Sequence, residues 1–240
     1  MINFNSTMRR AGSIRCRIFY GDAGHLGAES SMKLLCVSDT VVPELGQRSG
    51  ALSLGPVDLV VSCGDLPPEY LSFLRDALDA PLFYVRGNHD IRYESKPPQG
   101  CVNLHRRVLR HGPLKILGLE GSRWYNGGPV QYTEPQMRRF VRLLRLRIWL
   151  RGGLNLIVTH APPRYVHDAE DRCHRGFKVF RKLIEWYAPP YFLHGHIHAQ
   201  FADDAQRTTL VNGTRVVNCY GYCRLEIDES QLAGKNSRLG

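Results

Sequence analysis

Five short, mostly apolar runs in this chain each stop at a cluster of polar side chains able to hold a cation. No other feature constrains the fold as much. Lys33 to Val37 leads into Ser38-Asp39, and Asp58 to Ser62 into Cys63-Gly64-Asp65. Leu82 to Val85 leads to Gly87-Asn88-His89-Asp90, Leu154 to Val158 to Thr159-His160, and Tyr191 to Leu193 to His194-Gly195-His196-Ile197-His198. Runs of this length and composition, bounded by such punctuation, read as buried strands. In open α/β sheets, ligands bind in the crevice outside the carboxyl ends of the strands, so the five endings are expected to converge. Gly87 permits a turn that lets Asn88 and His89 enter one pocket. An amide oxygen, an imidazole and a carboxylate in a row suit metal ligation, proton donation and orientation of the donor.

Between and beyond these strands the pattern alternates with helices, as an α/β sandwich requires. Glu69 to Leu78, opened by Pro67-Pro68, and Arg175 to Tyr187, stopped before Pro189-Pro190, read as helices. Val108-Leu109 and Leu114 to Leu119 read as a hairpin around His111-Gly112-Pro113, and Asn212-Gly213 joins Thr208–Val211 to Thr214–Val217 in another. A further strand is expected over Tyr222–Ile227. Thr133-Glu134-Pro135 offers an N-cap for a helix in which Arg138, Arg142 and Arg145 recur at helical spacing opposite apolar residues. That helix is read as the solvated outer layer of the sandwich; a nucleic-acid or anionic-membrane surface is the sharper alternative.

At 240 residues the chain is most simply one domain with a substantial core. The expected boundaries are a poorly ordered extension over residues 1–31, the domain over 32–229 and a polar tail over 230–240. No window approaches the ~20 apolar residues of a membrane span, and Arg9, Arg10, Arg15 and Arg17 interrupt any signal-like stretch near the start. Seven cysteines, an odd number scattered along the chain, fit a reducing cytoplasmic compartment rather than a disulfide framework. Cys219 and Cys223 read as ordinary thiols. A net charge of +10 favours anionic partners without choosing among them.

The order Asp39, Gly64-Asp65, Gly87-Asn88-His89-Asp90, Thr159-His160, Gly195-His196-Ile197-His198 resembles the calcineurin-like metallophosphoesterase superfamily, over about residues 32 to 229. The resemblance implies a four-layer α/β/β/α sandwich with two mixed β-sheets. It also implies one or two divalent ions, of manganese, iron or zinc, since mixed carboxylate, amide and imidazole ligation suits these. Asp65 would be shared, with Asn88, His160 and His196 beside it on one ion and Asp39 and His198 on the other. Two such ions about 3.5–4 Å apart clamp a phosphoryl group and acidify a bridging water into the attacking hydroxide. His89 would serve as general acid, and Asp90 would orient its imidazole. One departure matters: the family's first block runs Asp-x-His, whereas here it runs Asp39-Thr40-Val41, and valine cannot ligate. Weak occupancy of the first site is therefore expected, unless water or a group such as Glu120 substitutes.

Two loops are expected to select a phosphate-ester substrate. Glu120 to Gly128 offers Arg123 for phosphate and Trp124 or Tyr125 for stacking on a base. Ala161 to His174 carries His167, Asp168, Asp171 and His174. The leading expectation is a metal-dependent phosphodiesterase acting on a small or nucleotide-like substrate. The alternatives are a degenerate scaffold acting as a binding module, which Val41 motivates, and a nuclease-like enzyme, which the arginine helix motivates.

Overall fold

The computed structural model describes residues 31–233, so the expected extension lies outside the described residues except for Ser31, which opens the first strand. The first sheet holds β1 (Ser31–Ser38), β2 (Leu59–Ser62), β3 (Leu82–Tyr84) and the short β4 (Val102–Asn103) as parallel neighbours. The strands of the second sheet are β5 (Arg107–His111), β6 (Leu114–Leu119), β9 (Leu156–Thr159), β10 (Tyr191–His194), β11 (Thr208–Val211) and β12 (Thr214–Asn218). They lie in the spatial order β11, β12, β10, β9, β6, β5. The four central members are parallel, while the edge strands β5 and β11 run antiparallel through hairpins. Asn212 and Gly213 both have positive φ, the geometry a two-residue hairpin demands. β13 (Gly221–Asp228) returns to the first sheet and pairs antiparallel with β1 over the full length of both strands. Both sheets are therefore mixed. The small pair β7 (Ser122–Arg123) and β8 (Gln131–Tyr132) stands apart from them.

Alternation along the strands builds the layers. Leu34 and Cys36 of β1, Leu59 and Val61 of β2, and Ile116, Leu156, Val158 and Leu193 of the second sheet meet in one buried cluster between the sheets. The alternate residues Leu35, Val37 and Val60 face outward, under α1 (Arg48–Ser53) and α2 (Pro68–Leu78), where Tyr70, Leu71 and Leu74 cover them. On the far side, Leu117, Ile157, Phe192 and Val216 lie beneath α3 (Glu134–Leu150) and α4 (Lys178–Tyr187), which supply Val141, Ile148, Phe180 and Leu183. Three apolar interfaces between four layers make the α/β/β/α sandwich. A period-2 strand buried on both faces must be apolar throughout, which is why these runs stand out in the sequence.

Residues 230–233, where the expected polar tail begins, form the helical turn α5 (Ser230–Ala233), and Leu232 inserts into the inter-sheet core; residues 234–240 lie outside the described residues. α1 carries no helical signature because Gly50 sits at its centre, where a Cβ would collide with the Glu44 carbonyl. Among the described residues, no helix is long and apolar enough to cross a membrane.

Candidate metal centre

The carboxyl ends of β1, β2, β3, β9 and β10 open onto one edge of the sandwich, and hydrogen bonds between the loops draw them together. Asp39 N–H donates to the Gly64 carbonyl and Gly195 N–H to the His160 carbonyl, each at 3.0 Å. Asp39, Asp65 and His196 all hold positive φ, between 57° and 68°. Such backbone is uncommon for residues with a Cβ and clusters at functional sites. Two glycines make the approach possible: a Cβ on Gly87 would fall on the Asp65 carboxylate and the His160 ring, and one on Gly195 would fall on Ser38 and Asp39.

Asp65, His160 and His196 present ligand atoms within 4.8 Å of one another. The Asp65 carboxylate is fixed by the His89 N–H, which donates to Oδ1 at 2.8 Å, and its Oδ2 lies 3.3 Å from His160 Nε2. The Asn88 amide oxygen lies 3.1 Å from the same nitrogen, while its NH₂ donates to Tyr125 Oη at 3.3 Å. His160 Nδ1 donates to the Cys63 carbonyl at 2.8 Å, which leaves Nε2 for the cluster. His196 Nε2 donates to the Cys173 carbonyl at 2.9 Å, which leaves Nδ1 with the lone pair. Main-chain oxygens thus set both tautomers, as outer partners of metal-bound histidines do. A carboxylate oxygen, an amide oxygen and two imidazoles facing one point need a positive charge among them, so the donor set fits a divalent cation.

In the metal-free protein a proton on His160 supplies that charge. Burial disfavours charged His160, but Asp65, by charge and hydrogen bond, and then Asp39 outweigh it and push its pKa up to about 9. Burial also opposes ionisation of Asp65, yet the His160 charge and hydrogen bond bring its pKa down to about 2. Burial and then the neighbouring His160 charge lower His196 to about 4, so His196 is neutral at physiological pH.

Asp39 lies beside this group rather than in it. Both its oxygens accept the His196 N–H at 3.0 Å, and His198 Nε2 is 3.6 Å from Oδ1. The His198 side chain is 62% exposed and its ring lies against Tyr220, with centroids 4.9 Å apart. Val41 is exposed and brings no donor. Glu120 does not replace it: its carboxylate is buried and taken up by Arg86, at 2.8 and 2.9 Å, and by the Tyr132 hydroxyl at 2.7 Å.

His89 is exposed at the mouth of the group. Asp90 departs from its expected role as the partner of that imidazole. Its Oδ2 accepts N–H bonds from Asp65 and Gly87 at 2.8 Å and its Oδ1 one from Leu66 at 3.2 Å, so it fixes the backbone that presents Asp65. Burial, opposed by the Gly87 N–H and reinforced by the Asp65 charge, raises its pKa to about 7. Arg123 is also redirected, bound to Glu134 at 3.0 Å. Tyr125, by contrast, reaches Asn88. Of the four side chains singled out in the second loop, His167, Asp168, Asp171 and His174, it is His174 that approaches the group, with its ring 5.2 Å from that of His196. His167 instead donates from Nδ1 to His194 Nε2 at 2.8 Å, turning the first histidine of the fifth block away from the centre, and Asp168 binds Arg164. The Cys63 and Cys173 carbonyls were invisible to sequence reasoning, because a main-chain acceptor has no residue-type signature.

The pattern of the calcineurin-like phosphoesterases matches residues 32–200, and the chain belongs to that family. The family is one of metal-binding phosphoesterases, although some members are non-catalytic. No curated protein sequence matches the chain. Among solved structures it is similar to TT1561 of Thermus thermophilus, at 17% identity, with 85% of this chain and 96% of that one covered and a TM-score of 0.59. It is also similar to GAP50, described as the anchor in the inner membrane complex of Plasmodium, at 10% identity, 82% and 81% coverage and a TM-score of 0.50. These likenesses carry the fold.

Proposed function

We propose that this chain is a metal-dependent phosphodiesterase of small, nucleotide-like esters in a reducing cytoplasmic compartment. The convergence of Asp65, Asn88, His160 and His196, with His89 at the mouth, is the observation that carries this reading. Those four residues hold the principal cation, and Asp39 and His198 form a weaker second position because Val41 adds nothing. Manganese, iron or zinc suits the donor set. When bound, the cation supplies Lewis acidity, lowering the pKa of water and neutralising phosphoryl charge. His89 gives its proton to the departing alkoxide. Its main chain is tied to Asp65, so the acid and the cation site are held by one turn. A cleft of about 210 Å³, lined by Asp65, Pro67, His89 and Arg92, opens there and accommodates a small leaving group. The six free thiols among the described cysteines support the reducing compartment.

The test is metal-stripped protein reloaded with manganese and assayed on a panel of phosphodiesters and monoesters, with elemental analysis alongside. Wild type should bind close to one ion per chain and favour diesters. His89→Ala should keep its metal and lose ~10²–10⁴ in kcat; His160→Ala should lose the metal. A second reading, a phosphoesterase scaffold retained for binding, is favoured by Val41 and the exposed His198. Loaded wild type and His89→Ala with equal, negligible rates would select it over the enzyme.

A further inference from the structure

The outer face of α3 is apolar where a solvated helix is polar. Its inner face is already used: Met137, Val141, Leu144 and Ile148 are buried against the second sheet. Positions 143, 146 and 150 then form a second ridge on the opposite side, spaced to share one face. Leu143, Leu146 and Leu150 are 56%, 64% and 67% exposed there, with Trp149 beside them at 62%. Arginines border this ridge on both sides, Arg138, Arg142 and Arg145 along one flank and Arg147 and Arg151 along the other, and Arg139 heads it one turn before Leu143; all are exposed. Among the described residues none of these six has an ion-pair partner; Arg145 lies over the Trp186 ring of α4 instead. After Glu134, which is engaged by Arg123, the helix contains no carboxylate.

We propose that this face of α3 docks on an anionic lipid bilayer, lying in the plane of the interface. Three features select that partner. The ridge needs an apolar phase, which phosphate backbones do not offer to aliphatic side chains. The flanking guanidiniums need anions at the rim of that phase, where lipid headgroups lie. Trp149, set among the guanidiniums of one flank, matches the preference of indole for the headgroup level. A 17-residue helix is about 25 Å long, enough for both rows to reach headgroups together. The active edge plays no part in this contact, and docking would stand or fall independently of the proposed hydrolysis.

Vesicle co-sedimentation of the full chain tests it, with phosphatidylcholine vesicles set against phosphatidylcholine–phosphatidylglycerol vesicles mixed at about 3:1. Binding to the anionic vesicles should exceed that to the neutral ones at least tenfold, and the tryptophan emission should shift to the blue. Each basic residue near an anionic surface strengthens binding roughly fivefold, so Arg142→Gln/Arg145→Gln/Arg147→Gln should reduce it at least tenfold. Leu146→Ser/Leu150→Ser should reduce it comparably, and Trp149→Phe should abolish most of the emission shift. All these side chains are exposed, so thermal melts of the variants should match wild type. Absence of binding to anionic vesicles overturns the proposal. So does binding indifferent to the leucine pair, or tighter binding to a single-stranded polynucleotide that only the arginine changes weaken.

Discussion

At the scale of single residues, one proton on His160 decides the charge balance of the candidate centre. Its pKa is raised from 6.5 to about 9 in the folded chain, so the stabilisation this proton provides is fully present below pH 6.5 and is lost as pH rises through 9. The shift corresponds to roughly 3 kcal/mol. Metal-free wild type should therefore lose Tm between pH 6.5 and 9, while His160→Gln should not show that decline. A flat wild-type profile would contradict the charge balance described above. The same proton competes with metal, because ligation needs the Nε2 lone pair. Manganese affinity, measured by titration calorimetry, should rise roughly tenfold per pH unit until pH approaches 9. These side chains were legible in the sequence because each follows an apolar strand and carries distinctive chemistry. Their supports were not. The Cys63 and Cys173 carbonyls act through the main chain, and Asp90 turns to three N–H groups whose positions depend on how two separate loops fold together.

At the scale of elements, the start of α3 shows how a local signal can hide a distant one. Thr133 and Gln136 form a reciprocal capping box, as the Thr133-Glu134-Pro135 sequence suggested in part. Glu134 does more than favour a first turn. Its carboxylate accepts the N–H groups of Lys178 and Val179, at 3.0 and 2.8 Å, and so caps α4 some forty residues away while holding Arg123. Thr133→Ala should cost about 1 kcal/mol, an ordinary lost cap. Glu134→Ala should cost about 2 kcal/mol, since it strips partners from the first turn of α4 and frees a half-buried arginine. Urea unfolding with an unchanged slope would measure both; equal costs would mean the inter-helix contact adds nothing. The long strands and helices and the Asn212-Gly213 hairpin were readable from period and turn chemistry. β4, β7 and β8 were not, because two-residue pairings are too short to leave a periodic trace.

At the scale of the whole molecule, the family pattern stops at residue 200, yet the fold does not. β11 and β12 complete the second sheet, and β13 covers the edge of β1, so the chain beyond 200 closes the inter-sheet core that the earlier strands leave open. Cysteines record that closure. Cys36 of β1 pairs in register with Cys223 of β13, and Cys219 joins them with all three sulfurs within 4.8 Å, at the centre of the sandwich. The seven scattered cysteines gave no hint of this grouping, since strand return is a property of topology rather than spacing. Hydrogen bonding from Cys219 and burial raise the Cys36 thiol well above its ordinary pKa, so little reactive thiolate exists there. Reaction with an alkylating reagent must therefore wait until the sheets separate. Site-resolved mass spectrometry of iodoacetamide-treated native protein should find Cys101 and Cys173, which are partly exposed, modified early. Cys36, Cys219 and Cys223 should follow together, at a rate that rises with urea in step with global unfolding. If Cys219 and Cys223 react early while Cys36 stays protected, β13 opens independently of the rest, and the two sheets do not form a single cooperative unit.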